Sequence, residues 1–83
     1  MQSIQTRPLW AISKDIRANW KNPYFGAIPY IDALSQLDNV GDKFGFDDAR
    51  GLILYFLANS KTWRGDDAKR IKNELKTIIG GKK

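Results

Sequence analysis

The chain has 83 residues, no Cys, no His and a net charge of +5 from 14 basic and 9 acidic side chains. That length fits one domain, and the missing Cys excludes a disulfide framework and thiolate zinc sites and fits a reducing compartment, a cytoplasm. The missing His removes the commonest neutral-pH acid–base group and the commonest metal ligand, so the composition points away from an enzyme and toward a binding protein whose positive surface suits a polyanion.

In chain order, residues 1–5 are expected to be a loose arm. A first helix is predicted from Thr6 as N-cap to about Trp20, with Pro8 in the first turn, where its missing N–H costs nothing. Leu9, Ile12, Ile16 and Trp20 fall on one face. Arg7, Lys14, Arg17 and Lys21 form a second stripe, about 80° wide at 100° per residue, and Trp10 projects from its middle. Residues 22–30 carry Pro23, Gly26 and Pro29, which forbid a continuous helix there. Tyr24, Phe25 and Tyr30 predict an ordered aromatic loop across the core. Pro29 suits the first turn of a second helix, 29–39, with Tyr30, Ile31, Leu34 and Leu37 inward and Gly41 as a left-handed stop. In the connection that follows, Phe44 and Phe46 are expected to tuck inward, Phe46 as a hydrophobic staple.

Residues 51–58, Gly-Leu-Ile-Leu-Tyr-Phe-Leu-Ala, hold the densest apolar run. Asp47 as N-cap, Asp48 at the positive end of the helix dipole, and Asn59 and Ser60 at the far end favour a helix over about 47–59. It would be apolar nearly all round, so other elements must enclose it. Gly51 costs roughly 1 kcal/mol against Ala and predicts close approach by a neighbouring backbone or ring. A last helix is predicted over 66–79 with Asp66 as N-cap. Ala68, Ile71, Leu75, Ile78 and Ile79 form its apolar face and Lys69, Lys72 and Lys76 a basic stripe. Gly80 and Gly81 end it, and residues 80–83 are expected to be flexible. The expected fold is a single all-α domain, a compact bundle of about four helices around the 47–59 helix.

The candidate binding residues follow from charge and aromatic placement. An aromatic among Arg and Lys is what single-stranded nucleic acid binders use, with cations for phosphate and a ring for a base. Arg7, Trp10, Lys14, Arg17 and Lys21 on the first helix, with Lys69, Lys72 and Lys76 on the last, are therefore the candidate nucleic-acid contacts. The competing reading packs Trp10 into the core and leaves the cations as a solvated surface. Asp38, Asp42, Asp47 and Asp48 lack calcium-loop spacing and read as caps and turns, so no metal or cofactor is expected. Arg64-Gly65-Asp66 matches an integrin-read tripeptide, but Asp66 is wanted at a helix start. No pair of carboxylates, Tyr or Lys sits at a catalytic spacing. No apolar run approaches the ~20 residues of a membrane span, and the N-terminal residues lack the apolar core of a signal peptide, so no membrane association is expected.

Residues 16–30, Ile-Arg-Ala-Asn-Trp-Lys-Asn-Pro-Tyr-Phe-Gly-Ala-Ile-Pro-Tyr, and 55–66, Tyr-Phe-Leu-Ala-Asn-Ser-Lys-Thr-Trp-Arg-Gly-Asp, with the Ala-Lys-Arg-Ile-Lys-Asn-Glu-Leu-Lys that follows, resemble small proteins carried by bacteriophages and other mobile elements. The resemblance implies a bacterial or phage cytoplasmic setting and assigns no functional residue. The expectation is a non-enzymatic binding module, for nucleic acid or alternatively for a protein, such as a modulator of a host protein.

Overall fold

The structure, a computed structural model, describes residues 7–45 and 47–80, apart from the side chain of Phe44. The expectations for residues 1–5 and 81–83, for Thr6 as a cap and for the packing of Phe44 and Phe46 lie outside what it describes. Helix α1 is Leu9–Asn19. Pro8 stands before it with extended geometry (φ −61°, ψ 151°) and makes no side-chain cap. The first N–H groups are satisfied from elsewhere in the fold: those of Leu9 and Trp10 donate to the carbonyls of Asp38 and Leu37, each at 2.9 Å. A tertiary contact thus does the work of a local cap.

The aromatic loop leads into a 3₁₀ turn, Phe25–Ala27, and then α2, Ile28–Leu34, with Pro29 in its first turn as expected. Helix α2 stops five residues short of its predicted end. The chain past it is held as a turn instead, with the Asp42 carboxylate accepting from the N–H groups of Asp38 (2.9 Å) and Asn39 (3.0 Å). Gly41 is not the left-handed stop; among the described residues the positive-φ glycines are Gly45 (φ 66°) and Gly65 (φ 113°). Gly45 lies in a minimal antiparallel hairpin of β1, Lys43–Phe44, and β2, Asp47–Asp48. Asp47 is therefore a strand residue. The cap of α3, Ala49–Ala58, is Asp48, whose carboxylate accepts the Gly51 N–H at 2.8 Å. A Cβ on Gly51 would meet that capping oxygen at 3.1 Å and nothing else within 4 Å, so no neighbouring backbone or ring explains the glycine. Helix α4 is Asp66–Gly80. Asp66 sits in its first turn, and the Gly65 carbonyl accepts the first helical bond, from Lys69 N–H at 2.9 Å.

The described chain is mostly helical, and every helix turns one apolar stripe to a common core: Leu9, Ile12 and Ile16, then Ile31 and Leu34, then Leu52, Ile53 and Phe56, then Ile71 and Leu75. Trp20 and Trp63 stack with centroids 5.2 Å apart and planes 5° apart, and Phe56 meets both edge-on at 6.2 and 6.4 Å. Buried Ser13 donates to the Ile31 carbonyl at 2.8 Å and ties α1 to α2. Two expectations fail here. Helix α3 is not enclosed all round, because its buried set Ala49, Leu52, Ile53 and Phe56 is a single stripe, and Leu54 and Tyr55 are 51% and 53% exposed. The aromatic loop does not cross the core either: Ala27 is buried there while Tyr24 and Phe25 are 44% and 77% exposed.

Candidate functional site

The two predicted basic stripes meet very different surroundings. Helices α1 and α4 are joined by an ionic seam. Arg7 forks onto Glu74 (3.0 and 2.6 Å) and reaches Asp15 (2.9 Å), and Arg70 bridges Asp15 and Asp67 (3.1 Å each). Hydrogen bonds from Arg70, then Arg7, hold the Asp15 carboxyl below its usual range despite partial burial, and Glu74 does most to raise the Arg7 guanidinium further above its own. Arg17 pairs with Asp32 of α2. Of the candidates predicted on the first helix, Arg7, which precedes α1, and Arg17 are thus ion-paired within the chain. Lys14 and Lys21 are exposed, and Trp10 is partly so at 43%.

On α4, each of Lys69, Lys72 and Lys76 stands two residues beyond Asp67, Arg70 and Glu74. At 100° per residue that is about 200° round the helix, the opposite flank from the seam. The stripes therefore do not share a face; Asp15, Asp67 and Glu74 lie between them. The α4 stripe borders an open cleft of about 240 Å³ lined by Trp63, Arg64, Gly65, Ala68, Lys69 and Lys72. Lys72 is partly buried and structural: its ammonium donates to the Ser60 and Trp63 carbonyls, each at 2.6 Å, and lies 5.9 Å from the centroid of the Trp63 ring. Desolvation, then repulsion from Lys76 and Arg64, pushes its pKa down, which marks a concentration of positive charge. Among the described residues, Arg64, Lys69, Lys72 and Lys76 have no carboxylate within ion-pair distance, whereas Arg7, Arg17 and Arg70 all do.

A second cleft, of about 250 Å³, lies between the end of α3 and the aromatic loop, lined by Tyr24, Ala58, Asn59, Lys61 and Thr62. Ile28 at the start of α2 and Leu54 and Tyr55 on the outer face of α3 are also exposed. Arg64, Lys61, Tyr24 and Asn59 were outside the predicted site. The readable sign was a cation on each side of Thr62-Trp63, but a loop has no periodicity to say which way its side chains point. Among the described residues no group of three or more carboxylates is arranged to hold a metal, and no helix is long and apolar enough to cross a membrane. No family model, curated protein or solved structure matches the chain.

Proposed function

We propose that the protein is a small non-enzymatic binding module whose partner is nucleic acid, contacted through phosphates by the flank of α4 and the loop before it. The observation that carries this reading is the cleft at Trp63, lined by Arg64, Lys69 and the anchored Lys72, with the charge of Lys76 acting on Lys72; among the described residues none of these cations has a carboxylate within ion-pair distance. Cations concentrated without counter-charges exert a field of long reach on a polyanion, and binding then releases its condensed counterions. On α1, Lys14 and Lys21 with Trp10 make a weaker second patch, separated from the first by the ionic seam.

Titration of labelled single-stranded and duplex oligonucleotides at two salt concentrations tests the reading. Each phosphate contact contributes about −0.7 (single strand) to −0.9 (duplex) to the slope of log affinity against log salt. Removing Arg64, Lys69 and Lys76 together should flatten that slope by roughly 2–3, while Lys14→Ala with Lys21→Ala should change it less. Absence of affinity at low salt refutes the reading. The half-exposed apolar residues of α3, Leu54 and Tyr55, favour a second reading, a protein-binding module such as a phage modulator of a host protein. A specific partner captured from nuclease-treated bacterial lysate supports that alternative.

A further inference from the structure

We infer that the cleft between the aromatic loop and the end of α3 is a nucleobase site for single-stranded nucleic acid, with Tyr24, which lines it, and the exposed Phe25 ring beside Tyr24 as the stacking surfaces. The inference rests on the nucleic-acid reading above and assigns its strand preference. It also moves the stacking role away from Trp10.

Four features of the cleft carry it. The first is where the protein leaves rings in water. Trp20, Phe56 and Trp63 are buried together, yet Phe25 is 77% exposed and Tyr24 44%, their centroids 4.9 Å apart and their planes tilted by 50°. A ring left outside a core forgoes its burial, and successive exposed rings offer faces on which bases of any sequence stack.

The second feature is that the Tyr24 ring lies against the chain rather than standing away from it. It folds over Gly26, where a Cβ would come within 2.6 Å of Tyr24 Cε2 and 2.9 Å of Asn59 Oδ1. A side chain at this position would displace the ring or the amide, which the glycine lets lie against the backbone from two sides. A platform held in place before binding loses less freedom when a ligand arrives.

The third feature is the chemistry of the lining. Ala58 supplies an apolar floor. The Asn59 amide nitrogen donates to the Tyr55 carbonyl at 2.8 Å, which orients the amide and leaves its oxygen as an acceptor. Thr62 adds a hydroxyl that donates or accepts, and Lys61 an ammonium suited to a phosphate. A base edge carries just such a mixture of donors and acceptors, and the lining holds no carboxylate to repel the backbone.

The fourth feature is continuity. Lys61 and Thr62 line this cleft, and Trp63, Arg64 and Gly65, the next three residues, line the basic one. A single strand seated with its base on Tyr24 therefore has cations along the same loop to receive neighbouring phosphates, whereas a duplex keeps its bases stacked within itself.

The test uses the full chain, a twelve-nucleotide single strand carrying 2-aminopurine, and the matching duplex. Phe25→Ala, at a ring 77% exposed, should melt like the parent, and Tyr24→Leu, at a half-exposed ring, should melt within about 8 °C of it. Each should weaken single-strand binding roughly 5- to 150-fold, the range found for loss of one base–aromatic stack. Duplex binding should change less than twofold, and the 2-aminopurine quenching seen with the parent should be lost. Single-strand affinity untouched by both substitutions, but reduced when Arg64, Lys69 and Lys76 are removed, overturns the nucleobase site and leaves the phosphate reading standing. No affinity of the parent for either oligonucleotide at low salt removes both. Loss of concentration-dependent mass in sedimentation on Phe25→Ala, with oligonucleotide affinity unchanged, assigns the rings to a protein interface and also overturns the proposal.

Discussion

Paired substitutions on α3 separate a helix with one buried face from a helix enclosed on every side. Phe56 is fully buried and meets Trp20 and Trp63 edge-on. Phe56→Ala removes that ring from the centre of the core and should cost about 3–5 kcal/mol. For 83 residues the whole stability is of order 4–12 kcal/mol. At roughly 4–8 °C per kcal/mol for a domain of this size, the melting temperature should fall by at least about 12 °C, if the variant folds at all. Leu54 lies two residues earlier, in the same helix and the same six-residue apolar run, yet is 51% exposed. Truncating it forfeits at most half the burial of a leucine and leaves no enclosed cavity, so Leu54→Ala should cost about 1 kcal/mol or less, a shift under about 8 °C. Helix propensity does not confuse the comparison, since Ala and Leu are both strong helix formers. Thermal melts followed by far-ultraviolet circular dichroism give the answer. A Leu54→Ala shift as large as that of Phe56→Ala would refute the exposed outer face of α3.

Two further substitutions test the ties between elements. Asp15 titrates below its unfolded value of about 3.9 because Arg70 and Arg7 donate to it, so its stabilisation is present above about pH 4 and is lost as pH falls through the lower folded value. Asp15→Asn should lower the neutral-pH melting temperature and flatten its fall between about pH 5 and pH 2; equal acid slopes in parent and variant would count against the seam. The slope should not vanish, because Asp42, held low by the N–H groups of Asn39 and Asp38, titrates in the same window in both proteins. Lys72→Met keeps the aliphatic stem but removes the ammonium that donates to the Trp63 and Ser60 carbonyls, leaving the Ser60 carbonyl only the Trp63 N–H at 3.0 Å. It should cost about 1–3 kcal/mol, with Lys72→Arg recovering part of the loss, and a melt unchanged in Lys72→Met would show that the ammonium anchors nothing.

Helical periodicity made the inner faces of α1 and α4 legible, because a polar flank marks where each apolar stripe stops. Leu9, Ile12, Ile16 and Trp20 are buried as their spacing requires, as are Ala68, Ile71 and Leu75. The run 52–57 offers no such mark. Six apolar residues in succession hide an ordinary stripe, Leu52, Ile53 and Phe56, and only the placement of the other helices decides that Leu54 faces out. The short α2 was illegible for a similar reason. The Asp42 carboxylate that holds the chain beyond it comes from a residue past the predicted end, with nothing in the local pattern to announce it.

Which cations remain available was least legible of all, because pairing is decided by residues far apart in sequence. Arg7 is satisfied by Glu74, 67 positions away, and Arg17 by Asp32, 15 away. Among the described residues the ion-paired cations are Arg7, Arg17 and Arg70, and the planar guanidinium of Arg7 matches the Glu74 carboxylate with two parallel bonds. A net charge of +5 therefore does not spread evenly. Asp15, Asp32, Asp67 and Glu74 pair with Arg7, Arg17 and Arg70, while among the described residues Arg64, Lys69, Lys72 and Lys76, in the loop before α4 and on its far flank, have no carboxylate within ion-pair distance. That loop is also the one that borders the exposed Tyr24. The proposed nucleobase site draws on that juxtaposition: Tyr24 from the aromatic loop, Asn59 from the end of α3 and Lys61 from the loop beyond it line one cleft, whereas spacing alone favours the α1 stripe.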